Sequence, residues 1–316
     1  MDDNARAIIV CCMHYSISEN NNKINLLKTY IDFIEHVQQP DGKLCNFVDY
    51  NKKVNLEQWS EDAHGRAIWS LGFLIFTKGI SQELKNKADQ IFCRALNAIK
   101  NIKSPRAVAF IILGLYFYNK ARPLPENISR IRESADHLIS LYNDNFSNEW
   151  HWFESYLTYS NSKLSEALFY SYLATKDKKY LEIAESSLDF LVSITFKNGV
   201  FSPVGSNGWY KKNNQKSSFA QQPVDTASMV QTLVLAYNIT KKDSYLGKAI
   251  TAFQWFLGKN VLNQAVYNES NGGCHDGLEE ISVNINQGAE STISYLMARL
   301  SLALFLKESK SSPIFS

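Results

Sequence analysis

The chain has no apolar run of about 18 residues, so no segment could cross a bilayer as a helix. It shows no signal-peptide pattern at its start either. Charge of one sign is also missing. The 33 basic and 31 acidic residues leave a net charge of +2, which gives no reason to expect nucleic acid or an anionic membrane as partner. The five cysteines (Cys11, Cys12, Cys45, Cys93 and Cys274) have no zinc or redox spacing. Cys11 and Cys12 are neighbours in an apolar helical pattern and read as buried thiols, which suits a reducing, cytoplasmic setting. Phosphate loop, nucleophile elbow and Cys–His signature are all absent. Nothing asks for a cofactor, and His275 with Asp276 lacks the ligand spacing of a metal site.

What is plentiful is aromatic: 16 Tyr, 18 Phe and 6 Trp, several of them in loops. Between the loops, apolar residues recur at helical spacing. The spacing predicts eleven helices, over 5–18, 23–37, 64–78, 82–99, 105–118, 126–142, 161–175, 179–194, 223–239, 245–257 and 288–307. Glu19–Asn22 reads as a turn and Pro40-Asp41-Gly42 as a stop. Pro223 is a first-turn proline, and Gly258 ends the tenth helix. Low-charge helices, such as RAVAFIILGLYFY, alternate with charged ones carrying a single apolar stripe. Apolar all round means buried on every side, whereas one stripe marks a surface helix. The expected architecture is all-α: one (α/α)6 toroid domain over 1–316, with six inner helices and an outer layer short of one helix.

Three times, a polar cluster ends in Arg-Ala and enters an apolar run: Asp2-Asp3-Asn4-Ala5-Arg6-Ala7, Ser60-Glu61-Asp62-Ala63-His64-Gly65-Arg66-Ala67 and Ser104-Pro105-Arg106-Ala107. Each reads as a loop followed by the N-terminus of a core-lining helix. The rich loops all precede inner helices and are expected to converge on one end of the ring. Helix N-termini there would supply a positive field and free N–H donors. Asp62 reads as an N-cap or a base. Glu61 reads as a dipole partner or a ligand for sugar hydroxyls, and His64 as a core histidine or a proton shuttle. Asp3, Arg6, Arg66 and Arg106 join them as binding residues.

Trp150-His151-Trp152-Phe153-Glu154 is the most suggestive loop. Aromatic rings are costly to expose without a use, and their faces suit pyranose rings. A carboxyl among them is desolvated and its pKa should rise, as a general acid requires. The same rings could equally staple the inner layer. Tyr159 and Asn161 open the seventh helix. Asn207 and Trp209 lie in the turn-rich stretch Phe201–Tyr210. Gln222 precedes Pro223, and Asp225 sits in a first helical turn, where a carboxylate is stabilising in any case. His275 and Asp276 follow Gly272-Gly273-Cys274, while Asn286, Gln287 and Glu290 open the last helix. Amides and carboxylates in number, set among aromatics, match many hydroxyls rather than a phosphate.

On these motifs, together with Phe201–Gly208, Gln221-Gln222-Pro223, Gly272-Gly273-Cys274, Asp276-Gly277-Leu278 and Asn286-Gln287-Gly288-Ala289-Glu290-Ser291-Thr292, the chain resembles a bacterial family. It is the helical domain of glycosyltransferase-associated, glycosidase-related proteins, with a looser likeness to six-hairpin glycosidases. The resemblance implies a glycan partner, an oligosaccharide or polysaccharide, and an association with a glycosyltransferase. Relatives carry residues ahead of the Asp-Asp-Asn-Ala-Arg-Ala motif, so an N-terminal segment is expected to be missing here. They also carry Asp at the place of Ser160, so activity is lost if that Asp is catalytic. The leading expectation is a glycoside hydrolase or glycan-remodelling enzyme with Glu154 as acid and Asp225, Asp62 or Glu290 as base. Carboxyls about 6.5–9.5 Å apart would invert and about 5–5.5 Å would retain configuration. The alternatives are a sugar epimerase using His64 and His275, and a non-catalytic glycan-binding module.

Overall fold

The computed structural model describes residues 1–18, 24–57 and 59–311. The expected Glu19–Asn22 turn and the Lys23 helix start lie outside them. Eleven α-helices follow one another among the described residues: α1 (Asp2–Ser18), α2 (Ile24–His36), α3 (Glu61–Phe76), α4 (Gln82–Ala95), α5 (Pro105–Ala121), α6 (Pro125–Asn145), α7 (Ser162–Thr175), α8 (Lys178–Thr195), α9 (Pro223–Thr240), α10 (Asp243–Gln254) and α11 (Ala289–Ser311). Three two-residue antiparallel pairs sit in the loops. They are β1 (Tyr156–Leu157) with β4 (Tyr210–Lys211), β2 (Phe196–Lys197) with β3 (Val200–Phe201), and β5 (Gly277–Leu278) with β6 (Val283–Asn284). No helix among the described residues is long and apolar enough to cross a membrane.

Helix ends move where capping decides them. α3 starts at Glu61, three residues before its expected start, because Ser60 and not Asp62 is the N-cap. Ser60 is extended (φ −122°, ψ 125°), and its side chain accepts the Ala63 N–H at 3.3 Å. The fourth helix changes to a 3-10 turn at Leu96–Asn101 instead of continuing to Ile99 as α-helix.

The chain divides into two compact units, Met1–Asp136 with Tyr170–Lys176, and His137–Phe169 with Asp177–Ser316. In the first, α3 packs between α1 and α5, with α2 against α1 and α4, and α4 against α3. In the second, α9 packs against α10 and α11. The alternation read from charge is an alternation of burial. α3 buries twelve of its 16 residues, α5 twelve of 17 and α9 twelve of 18. α4 buries only Leu84, Ala88, Ile91, Phe92 and Ala95, a single stripe, and α10 only Tyr245, Ala249 and Ala252.

The α3–α5 contact is made of backbone. Glycine inside a helix costs about 1 kcal/mol relative to alanine, so Gly65, Gly72 and Gly114 need a packing reason. A Cβ on Gly72 would overlap the Gly114 carbonyl, one on Gly114 would lie 2.5 Å from the Ile68 oxygen, and one on Gly65 would lie 2.7 Å from the Ala107 oxygen. Trp69 then stacks flat on Phe110, centroids 5.8 Å apart at 8°. Gly72→Ala forces the two helices apart and is expected to cost about 2 kcal/mol or more of stability. Urea denaturation checks this, and an unchanged midpoint would contradict the close-packing account.

Candidate functional site

In the first unit the helix starts are tied to one another by carboxylates. Glu61 Oε2 accepts the backbone N–H groups of Lys103 (2.9 Å) and Ser104 (2.6 Å), fixing the loop that enters α5. Asp62 Oδ1 accepts the Ser104 hydroxyl at 2.5 Å. At α1, Asp2 receives Arg66 from α3 (2.5 Å) and Arg6 (3.2 Å), and Arg6 donates to Asp3 at 2.8 Å. Burial works against the Asp2 charge, but the Arg66 and Arg6 guanidiniums overcome it and hold its carboxyl below the usual range. Arg6, Arg66 and Arg106 are all buried, each just inside a helix start. The guanidinium of Arg66 lies 4.6 Å from the centre of the Phe110 ring.

His64 is a core residue, and the proton-shuttle and epimerase-base readings of it fail. It is fully buried. Its Nε2 bonds the Ala95 carbonyl at 3.1 Å, and its Nδ1 accepts the Leu44 N–H at 3.3 Å. That pair of partners assigns the neutral Nε2–H tautomer. Burial pushes its pKa down to about 4.

In the second unit the starts of α7, α9 and α11 are linked in the same way. Asp225, in the first turn of α9 and 7% exposed, accepts the backbone N–H of Ser160 at 2.6 Å. Ser160 sits in the left-handed region (φ 47°). Its loop is clamped by Asn161, whose side chain accepts the Thr158 N–H (2.9 Å) and donates to the Thr158 carbonyl (2.5 Å). Asn161 is therefore a loop brace. Next to the clamp, Tyr159 faces Trp209 with centroids 6.4 Å apart, and both rings are half-buried. Asn207 is exposed on the neighbouring turn, its carbonyl accepting the Ser217 hydroxyl at 2.6 Å.

Gln222 is the residue before α9 and makes no side-chain cap, whereas its neighbour Gln221 is fully buried and fully used. Gln221 exchanges backbone hydrogen bonds with Leu278 (2.9 and 3.0 Å), accepts Trp255 Nε1–H (2.8 Å) and donates to the Ser218 carbonyl (2.8 Å). This bridge brings Asp276 to the start of α11, where Oδ1 accepts the Gly288 N–H (2.8 Å) and the Ser291 hydroxyl (2.6 Å). Asp276 is thus a cap. His275 bonds the Ile285 carbonyl (3.2 Å), and the Gln287 side chain accepts from Asn271 (3.0 Å). Asn286 is exposed, its carbonyl accepting the Asp276 N–H at 2.9 Å, and Glu290 is half-buried in the first turn of α11.

The Trp-His-Trp-Phe-Glu loop is packed inward. Trp152 is fully buried edge-on to Phe153 (5.1 Å). Trp150, 3% exposed, lies between Phe190 (5.2 Å) and Tyr210 (5.3 Å). Its indole N–H donates to the Glu154 carbonyl at 2.7 Å. Both tryptophans are core side chains with no open face for a sugar, Trp150 packed on rings from outside the loop and Trp152 on its neighbour Phe153. Glu154 itself is 9% exposed.

One group escaped the sequence reading. Lys163, 2% exposed, donates to Glu166 Oε2 (2.7 Å) on the next turn of α7 and to Gln231 Oε1 (2.8 Å) of α9. Thr232 also donates to Glu166 Oε2, at 3.0 Å. Two charges three apart in a low-charge helix were the available signal.

Residues 128–272 match the model of the family described as Glycosyl Hydrolase Family 88. That match supports a glycoside hydrolase-like enzyme. No curated protein sequence matches the chain. Among solved structures, a sugar epimerase from a ruminal bacterium is similar with a TM-score of 0.72 at 12% identity, over 96% of this chain and 86% of that one. The cellobiose 2-epimerase of Spirochaeta thermophila gives 0.71 at 10% identity, over 98% and 86%. A glycosyl hydrolase family 88 protein from Bacteroides vulgatus gives 0.66 at 9%, over 96% and 92%. At such identities the likeness is one of fold. The fold class is the expected one, all-α, with (α/α)6 toroid enzymes as structural neighbours.

The His64 pKa has a consequence for stability. Its folded value of about 4 lies below the ordinary 6.5. Between those values the unfolded chain takes up a proton that the folded chain refuses, so stability falls as pH drops from about 6.5 to about 4, by at most about 3 kcal/mol. Melting curves across this range are expected to show the loss, and His64→Gln is expected to flatten it. A wild-type slope retained in the variant would contradict the assignment.

Proposed function

We propose that this protein is a glycoside hydrolase whose reaction centre is the first turn of α9, with Asp225 as the carboxylate that attacks or activates water and Glu154 as the acid. The observation that carries the reading is the buried Asp225 carboxylate held at 2.6 Å by the Ser160 N–H. A hydrogen bond from the chain fixes the carboxylate's direction. The half-buried Tyr159 and Trp209 rings beside the Ser160 loop suit a pyranose face. Gln222, Asn207 and the outer atoms of Asn286 and Gln287 supply amides for hydroxyls.

A further fact supports Asp225 and Glu154 over Asp62 and Glu290. Both lie within the matched stretch 128–272, and the other two lie outside it. In the chemistry, Glu154 gives a proton to the glycosidic oxygen as the bond to the anomeric carbon breaks. Asp225 either bonds that carbon or takes a proton from the attacking water. The five free cysteines fit a reducing, cytoplasmic setting, and a glycosyltransferase system is the proposed context.

A reducing-sugar assay over a panel of oligosaccharides tests the reading. Asp225→Asn keeps an acceptor for the Ser160 N–H and removes the charge. It is expected to lower kcat by about 10²–10⁴-fold with little change in melting temperature. Hydrolysis at the wild-type rate in that variant would remove Asp225 from the mechanism.

A further inference from the structure

Three cavities in the second unit, of about 610, 590 and 560 Å³, follow one another around the Tyr210 ring, which lines all of them. The first and second share Asn148 and Glu149, and the second and third share Ser193 and Ile194, so they form one continuous groove. None is lined by Asp225, Glu154, Gln222 or Asp276.

Rings mark the line of the groove. Phe146 is 46% exposed, His151 lies 4.9 Å from it, and Phe190 lies 6.1 Å beyond His151. Tyr210 closes the row against Trp150 at 5.3 Å. The same linings hold hydrogen-bonding groups: Asn148, Glu149 and Asp189 in one cavity, Asn198, Asn214 and Gln215 in another. Rings together with amides and carboxylates in one lining match a chain of pyranose rings, apolar on its faces and hydroxylated at its edges. A peptide-binding groove would instead present an apolar trough or an open sheet edge.

We infer that this groove is a second glycan-binding site, apart from the reaction centre, which takes three or more consecutive sugar units of a polysaccharide across Phe146, His151 and Tyr210. It rests on the carbohydrate reading of the protein, and its lining falls within the matched stretch 128–272. At its far end Lys216 donates to the Ser202 carbonyl (2.6 Å) and hydroxyl (3.2 Å), holding the wall in place. Such a site keeps a long chain near the reaction centre and raises its effective concentration there.

Native electrophoresis through gels containing hydroxyethylcellulose, yeast mannan or polygalacturonate tests the site. The wild-type protein is expected to be retarded in at least one gel. Phe146→Ala and Tyr210→Ala are each expected to weaken that binding about tenfold. Asp225→Asn is expected to be retarded like the wild type. Phe146 is exposed, so its variant keeps the test sound if Tyr210→Ala fails to fold. Wild-type retardation in Phe146→Ala, or none in any gel, overturns the groove whatever the hydrolysis assay returns. Retardation lost in Phe146→Ala, in a protein that hydrolyses nothing, supports the groove and overturns the catalytic reading alone.

Discussion

The constraint on which the structure depends is the set of unpaired N–H groups at the start of each buried helix. A buried helix end must find acceptors for them: Ser60 and Ser104 cap α3 and α5 with their own hydroxyls, and carboxylates from neighbouring elements take the N–H groups just ahead of α5, α7 and α11. Glu61 takes two N–H groups at the entrance to α5, Asp276 caps α11, and Asp225 holds the loop before α7. The ion pair of Asp2 with Arg66 joins α1 to α3 in the same manner. An acid at a helix start is therefore structural first. That narrows the choice of reacting groups far more than a count of acids in loops would suggest.

Behind these ties the buried helices are made specific by different means in the two units. In the first, glycines let α3 and α5 touch backbone to backbone. In the second, α7 and α9 are locked by the buried Lys163, Glu166 and Thr232 with the half-buried Gln231. Removing one partner of such a pair leaves an uncompensated buried charge, at a cost of about 3–5 kcal/mol. The Lys163 group fixes the register of α7 and α9, the two helices at whose starts the Ser160 loop and Asp225 meet.

The helices and their alternation were legible because burial on all sides demands low charge all round, as in Pro105–Ala121 against the striped Gln82–Ala95. Asp225, Tyr159 and Trp209 were legible as candidates because they stand where polar loops enter such helices. The state of His64 was not legible. A histidine in a first turn reads the same whether it faces water or the Ala95 carbonyl, which comes from 31 residues away. Trp150 and Trp152 misled for the reverse reason, since ring density marks a sugar platform and a core equally. The groove around Tyr210 was invisible because its walls come from residues 146–151, 186–198 and 210–218, which share no pattern in sequence.

A crystal structure of the Asp225→Asn protein soaked with an oligosaccharide that the wild type cleaves would test the central claim most directly. A sugar ring is expected against Tyr159 and Trp209, with its anomeric carbon facing residue 225, directly or across one water, and its scissile oxygen toward Glu154. A substrate bound with its scissile bond away from the first turn of α9 would contradict it.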